Sequence, residues 1–314
     1  MEFDTNTDAV LNAEKLSKWY GNILGISEIS VHVTPGIQGL LGPNGAGKST
    51  FLKIASGQLK QNLGKITVFG ETVYNNHNIF SKIGFCPEHD SYYKEVTGWE
   101  FLIFMAKLHG FKGKKAVDMA GAALERVGMT ENAKKLISSF SMGMRQRLKV
   151  ASSIVHNPEL LILDEPLRGV DPLWRVKIIK LIKAFEKERK TVVVSSHILP
   201  EIEAMTNNIT LIHQGKIFAH GDIQEIRGLI DTHPHQVSIR CNTPRLAAEK
   251  LIRQNFVLNV NFDDKKNIIV IETNNRESFY DSMMKIVVEN GIEVDEMTSP
   301  DDNLQAVFDY LIGR

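Results

Sequence analysis

Gly42-Pro43-Asn44-Gly45-Ala46-Gly47-Lys48-Ser49-Thr50 decides the fold of this 314-residue chain. Its first eight residues fit G-x-x-x-x-G-K-[ST] in full, a pattern that has meaning only between a strand and a helix. Ile37–Leu41 in front is a short apolar run that reads as a strand. Residues 49–57 behind it read as a helix, with Phe51, Leu52, Ile54 and Ala55 available for burial. Glycines let successive backbone N–H groups turn inward around phosphate oxygens. The helix N-terminus adds partial positive charge. Lys48 brings a full charge to the β- and γ-phosphates, the Ser49 hydroxyl is placed to ligate Mg²⁺, and Thr50 can reach another phosphate oxygen. The stretch implies ATP with Mg²⁺, held by Asn44, Gly45, Ala46, Gly47, Lys48, Ser49 and Thr50.

Leu160–Leu163 is a continuous apolar run, as suits a strand buried on both faces of a parallel sheet. It delivers Asp164 and Glu165 at its end. Asp164 is the expected Mg²⁺ holder, through water, and Glu165 is placed to polarise an attacking water.

Working outward, strands are expected over 11–16, 29–33, 65–69, 83–86 and 191–195, with a hairpin at 209–219 around Gln214-Gly215. Helices are expected over 99–108, 116–127, 145–155 and 173–188. Strands alternating with helices argue for an α/β fold. The polar, helix-breaking stretch Asp231-Thr232-His233-Pro234-His235 separates residues 1–230 from 231–314. Beyond it the order is strand 237–240, helix 245–254, strands 257–262 and 267–272, helix 277–289, strand 292–297 and helix 303–311. Phe279, Met283, Ile286 and Val287 fall on one helical face there. The β-α-β-β-α-β part of this order is ferredoxin-like. His233 and His235 are expected to be solvated linker residues rather than metal ligands.

Lys+Arg and Asp+Glu are equal at 37 each, so bulk charge argues for neither nucleic acid nor an anionic surface. Cys86 and Cys241 are too few and too far apart for a disulfide framework or a metal spacing, which fits a reducing cytosol. No run of about 18 apolar residues is present, and Met1-Glu2-Phe3-Asp4 lacks the basic start of a secretory signal. Work at a membrane would therefore need a separate spanning chain.

Several ordered motifs across residues 11–228 resemble the ATP-binding subunit of an ABC transporter. Leu161-Ile162-Leu163-Asp164-Glu165-Pro166 resembles Walker B with its catalytic glutamate, and Arg168-Gly169-Val170-Asp171-Pro172 resembles the D-loop. Ser195-Ser196-His197 resembles the switch segment, which puts His197 on the γ-phosphate. Tyr20, in Lys18-Trp19-Tyr20-Gly21, stands where the family stacks a ring on adenine. Two motifs depart from the usual pattern. The signature is Phe140-Ser141-Met142-Gly143-Met144, keeping Ser141 and Gly143, and Ile83-Gly84-Phe85-Cys86-Pro87-Glu88 carries Glu88 where glutamine is commoner. A carboxylate can still ligate Mg²⁺, but while ionised it cannot donate a hydrogen bond.

The resemblance implies a P-loop NTPase domain with a RecA-like core, an antiparallel β subdomain and a helical subdomain, followed by a small α+β domain. It implies an exporter-branch ATPase on the cytoplasmic face of the cell membrane, paired with a separate transmembrane permease. A second ATP-binding subunit, in a homodimer or heterodimer, would complete each site with its own Ser141, Gly143 and Asp171. The catalytic set would then be Lys48, Glu165 and His197, the adenine platform Tyr20, and the metal set Ser49, Glu88 and Asp164. Tyr92, Tyr93, Trp99, Phe101 and Phe104 give the stretch after Glu88 a high aromatic density, where the family docks a permease helix. One alternative is a soluble ABC-type ATPase acting on ribosomes or DNA. The single P-loop and the absence of sustained heptads count against it. Another is a nucleotide-binding regulatory subunit with weak hydrolysis, against which Glu165 and His197 stand.

Overall fold

The computed structural model describes residues 9–90, 95–230, 235–263 and 267–299. Tyr92, Tyr93, the linker at 231–234 and the helix expected at 303–311 lie outside the described residues. Contacts divide the chain into two compact units between Ile223 and Gln224.

The first unit is built on a six-stranded sheet ordered Lys216–Asp222, Asn208–His213, Ile37–Leu41, Thr191–Ser196, Leu160–Leu163, Ile83–Cys86. All its pairs are parallel except the closing hairpin, Lys216–Asp222 with Asn208–His213. Ile37–Leu41, Leu160–Leu163 and Thr191–Ser196 are buried at every residue. Their sequences are accordingly continuous rather than alternating. The loop at 42–47 leaves the C-terminal end of Ile37–Leu41, and Asp164 and His197 follow the ends of two neighbouring strands. Three sequence-distant segments thus follow the carboxyl ends of three adjacent strands, where open α/β sheets bind ligands.

An antiparallel sheet, ordered Ile23–Val33, Leu11–Tyr20, Leu63–Val68, Glu71–Thr72, carries Tyr20. Its first two strands run longer than residues 11–16 and 29–33. Bulges between Ala13 and Trp19 break the strict alternation of a regular strand. One core cluster joins Leu11, Leu16, Ile29 and Val31 of this sheet to Phe51, Leu52 and Ile54 of the helix Lys48–Ala55 and to Leu160 and Ile162.

Gly98–Leu108, Gly113–Arg126 and Met142–Ile154 form the helical part. Thr97 and Glu100 start the first with a reciprocal capping box. The third begins at Met142 rather than residue 145, because Ser141 Oγ accepts the Met144 N–H at 3.2 Å and makes Met142–Met144 the first turn. Short helices at His77–Phe80 and Leu199–Glu203 were not expected; each is too brief to show periodicity.

The second unit has a four-stranded antiparallel sheet ordered Val257–Asp263, Ile268–Thr273, His235–Cys241, Val294–Thr298. Helices Pro244–Leu251 and Arg276–Asn290 share one core with it, Ala247, Leu251, Phe279 and Met283 meeting Val237, Ile239, Ile269 and Ile271. The β-α-β-β-α-β order is present. Asn275 caps the second helix through Ser278 N at 3.0 Å, and Gly291 ends it at φ 60°.

Candidate nucleotide site

Gly42 must be glycine on packing grounds: a Cβ there would lie 2.2 Å from the Ile212 carbonyl oxygen. Gly45 and Gly47 take φ of 79° and 105°, turning the loop back on itself. The helix Lys48–Ala55 then starts on Gly47 with no side-chain cap and no acidic residue in its first turn. Ser141, Thr97 and Asn275 each cap the helix that follows them. The uncapped N–H groups at Lys48–Ala55 suit an anion.

A cavity of about 530 Å³ opens over this loop. Tyr20, Ile23 and Leu24 form an apolar wall, residues 44–50 the floor, and Glu88, Glu165 and Arg168 a charged wall. The Tyr20 ring is half exposed, with its hydroxyl 3.3 Å from Thr50 Oγ1. Lys48 folds back over its own loop, its Nζ donating to Gly42 O at 2.6 Å and Pro43 O at 3.1 Å. The same ammonium lies 3.3 Å from Glu165 Oε1.

Asp164 and Glu165 are both buried. Ser195 Oγ, fully buried, joins them: it donates to Asp164 Oδ1 at 2.7 Å and accepts the Glu165 N–H at 2.9 Å. Glu165 is held at φ 50°, a left-handed conformation that aims its side chain back toward Lys48. Gln146 Nε2 donates to its carbonyl at 3.3 Å, and Glu165 Oε2 meets His197 Nδ1 at 3.0 Å. Asp164 Oδ2 is buried with no hydrogen-bond partner. An orphaned carboxylate oxygen, one residue before the Glu165 that reaches Lys48, fits a hard, oxygen-seeking cation such as Mg²⁺. Burial pushes the neighbouring Cys86 thiol up to about 12, so it stays neutral and offers no nucleophile.

Glu88 lines the cavity, but its Oε1 is taken by Arg168 Nη1, and its carbonyl accepts from Lys149 Nζ at 2.6 Å. Ser141, Gly143 and Asp171 do not line the cavity. They belong to a second surface, where Gly143 and the Met142 side chain lie against Gly169. Asp171 Oδ1 there accepts the Trp174 N–H at 3.1 Å and starts the helix Pro172–Lys187. The site thus brings together Tyr20, residues 44–50, Glu88, Asp164, Glu165 and His197, and leaves Ser141, Gly143 and Asp171 apart. The sequence places Ser195 in the switch segment and Arg168 in the D-loop but assigns neither of them, nor Gln146, a role of its own. Ser195 had a signal, being a polar residue that ends a buried apolar run beside His197.

Residues 26–168 match the family model described as ABC transporter. Bacitracin transport ATP-binding protein BcrA of Bacillus licheniformis is 34% identical over 307 residues, covering 97% of this chain and 97% of the relative. Linearmycin resistance ATP-binding protein LnrL of Bacillus subtilis (strain 168) is 38% identical over 214 residues, covering 68% of this chain and 69% of the relative. A solved ATP-binding subunit of an ABC transporter superposes with a TM-score of 0.65 at 25% identity, covering 70% of this chain and 93% of that one. A dimeric ATP-binding cassette bound to ADP and Pi in a post-hydrolysis state shares the fold, with a TM-score of 0.64 at 20% identity, over 68% of this chain and 98% of that one. With near-full-length similarity at this level, and with the phosphate loop and Glu165 lining one cavity while His197 and, through Ser195, Asp164 are bonded to Glu165 behind it, the chain belongs to the ABC transporter ATP-binding protein family.

Proposed function

We propose that this chain is the ATP-hydrolysing subunit of an exporter, energising a separate membrane permease from its cytoplasmic face. The observation that carries the catalytic part is the Lys48–Glu165–His197 chain of contacts, in which buried Lys48 and Glu165 meet the more exposed His197. Arriving phosphates draw the Lys48 ammonium off Glu165, leaving a carboxylate whose other oxygen His197 still holds. That carboxylate takes the proton of the attacking water. His197, with its side chain part exposed, can turn its second ring nitrogen to the γ-phosphate. Ser49 and Asp164 would hold Mg²⁺, with Glu88 as a further oxygen donor, and the ion would neutralise charge on the β- and γ-oxygens. Tyr20 stacks on the adenine.

Ser141, Gly143 and Asp171, away from the cavity of their own chain, would complete the site of a second subunit. The dimeric cassette of the same fold supports that reading. Among the described residues no helix is long and apolar enough to cross a membrane. Relatives named for bacitracin transport and linearmycin resistance support an antimicrobial compound as the cargo. Residues 231–314 form an accessory domain in this reading. Among the described residues no group of His, Cys, Asp or Glu side chains in it could hold a metal.

The test is purification of the tagged chain from detergent-solubilised membranes of its own cells. Recovery of a multi-span permease in stoichiometric amount is expected. Recovery of ribosomes without a permease would overturn the proposal.

A further inference from the structure

The cavity wall holds a second ion pair besides Lys48–Glu165. Arg168 Nη1 donates to Glu88 Oε1, and both residues line the same cavity as Lys48 and Ser49. The backbone under each partner is fixed. The Arg168 N–H donates to Glu165 O at 3.2 Å, Leu167 before it is fully buried, and Gly169 after it turns at φ 70°. The arginine is therefore thrown out of the turn that starts at Glu165, while its neighbour stays anchored in the core. On the other side, Lys149 Nζ holds the Glu88 carbonyl at 2.6 Å and reaches Asp90 Oδ1 at 3.4 Å. Only the two side chains are left to move. Half of the Arg168 side chain is exposed and Glu88 is about a quarter exposed, so the pair sits where water and ligand can exchange it.

The lysine and the arginine that line the cavity are thus each matched to a carboxylate that the reaction needs for something else, with His89 Nε2 a further 3.9 Å from Glu88 Oε2. Lys48 covers Glu165, and Arg168 covers Glu88. The geometry points to Arg168 as a positioning residue for metal loading: its guanidinium holds the Glu88 carboxylate in the resting site and competes with the divalent cation for the same oxygen. The inference rests on the cavity being the nucleotide site proposed above. Nucleotide without metal meets a neutralised Glu88, so its phosphates are not repelled. Nucleotide with metal displaces Arg168, and Glu88 becomes an oxygen donor to the ion. The latch lowers the dependence of nucleotide affinity on the metal, because one state gains from the arginine and the other must dislodge it.

The test measures binding of a non-hydrolysable ATP analogue to the full chain, with Mg²⁺ and with EDTA, and takes the ratio of the two dissociation constants. Arg168→Ser is expected to raise the Mg²⁺ dependence about fivefold, the size that one exposed ion pair supports. Arg168→Lys keeps a cation and is expected to stay within about twofold of the parent chain. Glu88→Gln and the Glu88→Gln/Arg168→Ser double variant are expected to share one ratio. A purely structural arginine would change both affinities together and leave the ratio where it was. Should Arg168→Ser weaken the turn, Arg168→Gln, which keeps the length of the stem, repeats the measurement. An unchanged ratio in the neutral variants, or an equal rise in the Glu88→Gln background, overturns the latch while leaving the nucleotide reading intact. Failure of the parent chain to bind the analogue at all overturns that reading and the latch with it.

Discussion

Ser195→Ala removes one oxygen that pins both acidic residues of the site. The hydroxyl is fully buried, donating to Asp164 Oδ1 at 2.7 Å and accepting from Glu165 N at 2.9 Å. Its loss strands a buried N–H and a buried carboxylate oxygen in a place where Asp164 Oδ2 already lacks a partner. Leaving such groups unsatisfied costs about 2 kcal/mol, roughly a 4–8 °C fall in melting temperature for a unit of this size. Activity falls further than stability explains. The Glu165 amide is no longer held at its strained φ of 50°, and loss of a support behind a catalytic or metal-holding group costs about 10–100-fold. The loss is expected in kcat, with nucleotide affinity nearly unchanged, because the Ser195 hydroxyl bonds Asp164 and Glu165 rather than Lys48 or the glycine loop. Ser153→Ala is the matched control. Ser153 is equally buried, but its hydroxyl only back-bonds to Val150 O at 2.8 Å within its own helix. That carbonyl has other means of satisfaction, so the control should lose less than about 1 kcal/mol and no activity. Thermal unfolding and steady-state ATPase assays of the two variants decide the matter. Equal melting temperatures and equal kcat for both would refute the assignment of Ser195 as the joint between Asp164 and Glu165.

His156 gives a pH dependence with a definite sign. Burial, and then the stacked His109 ring at 3.6 Å, push its pKa from 6.5 down to about 4. The unfolded chain therefore binds a proton that the folded chain refuses, and stability falls as pH drops from 6.5 toward 4, by up to about 3 kcal/mol from this group. Urea unfolding across that range should show a shallower slope for His156→Gln, and identical slopes would contradict the reasoning. Gly42→Ala places a Cβ 2.2 Å from the Ile212 carbonyl oxygen. Backbone must shift at the root of the phosphate loop, so ATP binding by calorimetry should be lost, and retention of parental affinity would contradict the packing argument.

The phosphate loop was legible because its chemistry is local: glycines, lysine and serine act within nine residues of chain. Asp164 and Glu165 were legible for the same reason, since the apolar run Leu160–Leu163 announces where it ends. Features made by residues far apart in sequence were not. The Arg168–Glu88 pair spans 80 positions, and no periodicity marks either partner. Gln146, buried on the helix Met142–Ile154, reaches the Glu165 carbonyl only because that helix packs beneath the loop. Ser141 shows a different limit. Its residue type suits both a helix cap and a phosphate contact, and within one chain the fold displays the cap. Strand ends were blurred where bulges interrupt alternation, as between Ala13 and Trp19.

The central claim is that Glu165, poised between Lys48 and His197, drives ATP hydrolysis. The most direct measurement is Mg²⁺-dependent phosphate release by the purified chain and by Glu165→Gln at saturating ATP. The account predicts hydrolysis by the parent chain and a loss of about 10²–10⁴-fold in the variant, with ATP still bound. Equal rates for the two proteins would contradict it.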